Sequence, residues 1–207
     1  MPSYQTVDKF AFDEFVEKRS RFIGYAKPVK TPDEANAFIE EIKAKHWDAK
    51  HNVYAYILRD GNRERYSDDG EPQGTAGVPT LDVLKKSGVT DVVVVVTRYF
   101  GGILLGGGGL VRAYSHAASI ALAAAGIVTM RSYNLCHINM DYNLYGKFEN
   151  LVKECGGNVL DSNFSDNVEI NFQIPDEEMA SFDVKLKDLS LGKASFDIVE
   201  EHHYGRE

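Results

Sequence analysis

Between Arg98 and His116 the chain reads RYFGGILLGGGGLVRAYSH, and no other stretch limits the fold as much. A β-branched run, Val92 to Thr97, leads into it. Such a run, closed by glycines, predicts a buried strand. After the glycines, Leu110, Val111, Tyr114, Ala117, Ala118 and Ala121 recur at helical spacing until Gly126. The order is therefore strand, glycine loop, helix.

Gly101, Gly102, Gly106, Gly107, Gly108 and Gly109 free this loop to take positive φ and to approach a neighbouring backbone. Loop amides beside the positive end of a helix make an anion site, and Arg98 and Arg112 bracket it with bidentate donors. The expected ligand is a phosphate or a nucleic acid. No GK[ST] follows the glycines, so this is not a nucleotide P-loop. The alternative is architectural, with the glycines making a tight strand-to-helix turn or a seam for another backbone.

Two cysteines in 207 residues, Cys136 and Cys155, cannot form a disulfide framework or a metal knuckle and read as reduced intracellular thiols. No apolar run approaches the roughly 20 residues of a membrane helix, and the charged start MPSYQTVDKF has no signal core. The expected location is cytoplasmic. Net charge is −8 from 23 basic and 31 acidic residues. Residues 135–207 hold six basic and fifteen acidic residues, leaving 17 and 16 in residues 1–134, so the halves carry −9 and +1. Any phosphate contact should come from the first half.

Residues 1–18 are mixed, and Ser20 to Val29 alternates as a strand. Thr31-Pro32 opens a helix buried through Ala35, Phe38, Ile39 and Ile42. Asn52 to Leu58 is a strand and Arg65 to Ser67 a short return, followed by a helix over Thr75–Lys86. To Gly126 the pattern predicts an α+β domain with helices on one sheet face. It restarts at Met130 as β-α-β-β-α-β, the split βαβ arrangement. The last strand spans Lys193 to Glu201, and the tail HHYGRE reads as a frayed end rather than a metal site. The boundary falls within residues 127–133, giving domains 1–129 and 130–207.

Asp68, Asp69 and Glu71 crowd three carboxylates just before Gly74 and Thr75. Carboxylates this close stay solvated, bind Mg²⁺ or Ca²⁺, or raise one another's pKa. The spacing lacks the later ligands of an EF-hand, and an Asp-Asp-Gly turn most often caps the next helix. His46 and His51 do not have metal-pair spacing, and His51 reads as a partly buried, hydrogen-bonded residue. No metal and no cofactor is expected.

SDDGEPQGTAGVP (Ser67–Pro79) and VVVVTRYFGGILLGGGGLVRAY (Val93–Tyr114) together resemble the Impact family in its bacterial, YigZ-like two-domain form. Ala49-Lys50-His51 and Lys18-Arg19-Ser20-Arg21-Phe22-Ile23 match its other segments. The resemblance implies an N-terminal domain similar to domain 2 of ribosomal protein S5 and a ferredoxin-like C-terminal domain similar to modules of elongation factor G. Eukaryotic relatives regulate translation by competing for the activator of a stress-responsive kinase; they carry a different accessory domain, which this chain is expected to lack, so that mechanism is not expected to transfer. What carries over is a link to translation. No catalytic residue comes with the family. Galactokinase-type enzymes share the S5 domain 2 fold, an analogy of fold alone.

The expected function is a non-enzymatic, translation-associated binding protein that contacts RNA, the ribosome or a protein through the glycine-loop face. The alternative is an enzyme holding a phosphorylated or nucleotide ligand on the glycine loop, a divalent ion on Asp68, Asp69 and Glu71, and His51 as base.

Overall fold

A computed structural model describes residues 3–206, without the side chains of His202 and His203. The chain is α+β and divides into two compact units at Thr129/Met130.

In the first unit, β1 (Tyr4–Val7) precedes a sheet of β2 (Ala11–Glu17), β3 (Ser20–Pro28), β4 (His51–Leu58), β5 (Arg63–Ser67) and β6 (Val92–Tyr99). The sheet order is β2-β3-β6-β4-β5, and every adjacent pair is antiparallel. The helices are α1 (Pro32–Lys45), α2 (Gly77–Lys86) and α3 (Gly107–Ala125). The valine run becomes the central strand β6, and its composition follows from that place. Val93 and Val95 pack with Phe38, Ile39 and Ile42 of α1, while Val92, Val94 and Val96 pack with residues of α2 and α3. The helices therefore cover both faces of the sheet, not one. A strand apolar on both sides needs cover on both sides.

The mixed N-terminal segment also departs from expectation, because Ala11–Glu17 pairs with Ser20–Pro28 as a hairpin. Its two-residue turn, Lys18-Arg19, has both residues at positive φ, 45° and 64°. This pattern normally selects Asn-Gly. Thr31 caps α1 by accepting from the Glu34 amide at 3.2 Å. The alanine stripe of α3 lies against Gly24 of β3, where a Cβ would overlap the Ala117 carbonyl.

The second unit runs β7 (Ile127–Met140), α4 (Tyr142–Glu154), β8 (Asn158–Phe164), β9 (Val168–Pro175), α5 (Met179–Ser190) and β10 (Phe196–Arg206). Its strands lie in the order β10-β7-β9-β8, each pair antiparallel, which is the ferredoxin-like arrangement. Phe148, Phe172 and Phe182 form the centre of its core, with ring centroids 5.0–6.0 Å apart. Cys136 and Cys155 are free and buried, and burial pushes the Cys136 thiol up to about 11, so it stays protonated and unreactive. The tail does not fray: β10 pairs with β7 as far as Arg206, opposite Met130.

The junction between the units is thus part of a strand rather than an open linker. Met130 and the residues after it pair with β10, and those from Tyr133 also pair with β9. Backbone held in a hydrogen-bonded ladder is poorly cut. Limited proteolysis of the native protein should spare residues 130–140, and fragment masses that place the first cut there would contradict the strand.

Candidate functional site

The glycine loop and the acidic turn meet at the end of β6. Arg98 leaves the strand there and is only 5% exposed. Its Nη1 donates to Glu71 Oε1 at 2.6 Å, and Tyr114 of α3 donates to the same oxygen at 2.7 Å. Nη2 reaches Ser20 Oγ at 3.5 Å, and Ser20 Oγ accepts from the Gly101 amide at 3.2 Å. The buried Nε–H has no hydrogen-bond partner among the described residues. Burial, and then the neighbouring Glu71 carboxylate, push the Tyr114 hydroxyl far up, so it remains a donor.

Arg98 was expected to bracket the loop as an anion ligand. It instead holds the loop from beneath, because its charge is spent on Glu71. The glycines also divide in role. Gly102 and Gly106 take positive φ, 84° and 74°, whereas Gly107, Gly108 and Gly109 form the first turn of α3. Gly101 lies against the Arg19 backbone, and a Cβ would overlap the Arg19 carbonyl. Close approach, rather than positive φ, requires glycine at Gly101. The N-cap residue of α3, Gly106, has no side chain to cap the helix, and no acidic residue lies in its first turn. Its positive end therefore stays open.

The acidic turn does not assemble a cation site. Asp68 caps α2, accepting from Ala76 and Gly77 amides at 3.1 and 2.8 Å and from Gly74 at 2.8 Å. Asp69 accepts from the Asn52 amide at 2.6 Å. Glu71 faces Arg98. The three carboxylates are turned apart and separately engaged, by the amides around α2, the Asn52 amide and Arg98. Among the described residues no group of three His, Cys, Asp or Glu could hold an ion. Thr75 bonds the Pro72 carbonyl at 2.6 Å, and its methyl lies beside Gly107, so turn and loop share one edge of the unit.

His51 donates from Nδ1 to the Asp69 carbonyl at 2.9 Å, and its Nε2 lies 3.9 Å from Glu71. His46 occupies a separate network: Tyr99 donates to Asp48, so His46 Nδ1–H donates to Tyr99 and Nε2 accepts from Tyr25. Burial, with Lys45 nearby, holds the His46 pKa down.

What remains at the surface is Arg112, Phe100, Ile103 and Leu104, the last 81% exposed. Beside Arg112 a groove of about 270 Å³ opens between α3 and the Lys18-Arg19 turn. Local turn chemistry alone does not mark this turn. Its signal was the Lys18–Ile23 segment, and positive φ at two residues with side chains costs on the order of 1 kcal/mol each.

An antiparallel sheet with a glycine loop pinned by a buried ion pair, followed in the chain by a ferredoxin-like unit, defines a two-unit α+β class. Residues 18–122 match the Impact N-terminal domain, and residues 138–193 match a domain of unknown function, DUF1949. The chain is 42% identical over 193 residues to the IMPACT family member YvyE of Bacillus subtilis, covering 93% of this chain and 89% of the relative. Identity to the IMPACT family member YigZ of Escherichia coli is 37%, covering 89% and 92%. A crystal structure described as that of a hypothetical protein superposes with a TM-score of 0.62 at 34% identity, covering 98% of this chain and all of that one. The chain belongs to the IMPACT family.

Breaking the Arg98–Glu71 pair from either side strands a buried charge. Arg98→Met and Glu71→Gln should each cost roughly 3–5 kcal/mol in urea unfolding, and the double Arg98→Met/Glu71→Met should recover part of that loss. Single losses below about 1 kcal/mol would show that the pair does not hold the loop.

Proposed function

We propose that this chain is a translation-associated binding protein, non-enzymatic and cytoplasmic, that contacts RNA or the ribosome through the glycine-loop face. One observation carries the reading. The loop is fixed from below by Arg98, Glu71 and Tyr114, and it presents an uncapped helix start with exposed Arg112 beside it. A preformed surface of amides and one guanidinium suits phosphate oxygens. The family's link to translation supplies the context. The first half of the chain, net +1 against −9 for the second, is the half that can meet a polyanion. Among the described residues no helix is long and apolar enough to cross a membrane.

Retrieval of partners from lysate with and without RNase, followed by direct RNA titration, tests the reading. Arg112→Ala should weaken RNA by about tenfold, the equivalent of ~1.4 kcal/mol, and reduce the salt slope by about one, with an unchanged melting temperature. Unaltered affinity and salt slope would leave the glycines as a packing device.

A further inference from the structure

We propose that the groove between the Lys18-Arg19 turn and α3 receives one unpaired nucleotide of a single-stranded RNA. This rests on the RNA reading above and narrows it to a place and a ligand form.

The groove has two kinds of wall. Phe15, Leu105 and Ala113 make an apolar floor, and Lys18, Arg112 and His116 stand around it. The His116 ring meets Phe15 edge-on with centroids 4.6 Å apart. Phe15 stacks in turn on buried Phe22 at 5.3 Å, which fixes the floor. Glu17 also lines the groove, so Lys18 and Arg112 against Glu17 leave one net positive charge among these three. An apolar recess with an aromatic edge and two cations fits a base joined to a phosphate better than a bare anion. A bare anion would leave the floor unused. A recess this small, about 270 Å³, suits a single base better than a stack. A duplex hides its base faces, so only an unstacked base can enter. Lys18 is placed there by its turn, because Glu17 pairs with Ser20 and leaves Lys18 and Arg19 as the reversal.

The test measures binding of a short labelled single-stranded RNA by the intact protein. A duplex of the same sequence and free uridine monophosphate serve as competitors. Lys18→Asn removes the charge with a residue that tolerates positive φ, so the turn persists. His116→Leu removes the ring edge from an exposed helix position. Each should weaken the single strand about fivefold or more, and Lys18→Asn should lower the salt slope by roughly 0.7. Melting temperatures should hold. The duplex and the free nucleotide should compete poorly. If both variants bind the single strand as the parent does, the groove is not the site, although RNA binding itself survives. Equal competition by duplex overturns the unpaired-base assignment, and equal competition by free nucleotide overturns the strand. If the parent protein binds no RNA, or only an acidic peptide, both the groove and the broader reading fall.

Discussion

The ion pair between Arg98 and Glu71 joins four segments that are far apart in sequence. Arg98 is the penultimate residue of the central strand, Glu71 belongs to the acidic turn, Tyr114 belongs to α3, and Ser20 begins β3. Taking two charges out of water is expensive, so such a pair holds only with further hydrogen bonds around it. Tyr114 and Ser20 supply them, and the Ser20 hydroxyl passes the constraint to the Gly101 amide. The loop is therefore not a flexible glycine tether. Its path is set by a buried arginine and by the Arg19 backbone packed against Gly101.

Support from below changes what the surface can be. Phe100, Ile103 and Leu104 are exposed without contributing a core. The loop's conformation does not rely on their burial. The same logic explains how Lys18 and Arg19 occupy positive φ where Asn-Gly would relax. The strain is borne by a hairpin whose far strand, β3, pairs along its full length with β6.

The acidic turn shows how three carboxylates in four residues lose their mutual repulsion. Asp68 turns to the amides of α2, Asp69 to the Asn52 amide and Glu71 to Arg98. Each oxygen set is neutralised by a different neighbour. A cluster that reads as one electrostatic feature is divided among a helix cap, a strand tie and an ion pair.

The sequence alone determined the strand–glycine–helix order, the restart near Met130, the capped start of α1 and the ferredoxin-like second unit. These follow from local periodicity and punctuation, which the chain carries in consecutive residues. It also showed that the valine run lacks alternation, although cover on both faces, the meaning of that, emerged only with α1 opposite α2 and α3. The tertiary structure alone decided the fate of Arg98. Whether an arginine after a buried strand faces solvent or a carboxylate 27 positions earlier depends on which loop folds over it. The groove was equally illegible, because Phe15, Lys18 and Arg112 come from segments whose juxtaposition is fixed by β2–β3 pairing and by α3 crossing that hairpin. Local pattern encodes elements, whereas the sites between them are encoded by non-local packing, and in this protein the buried charge fixes that packing.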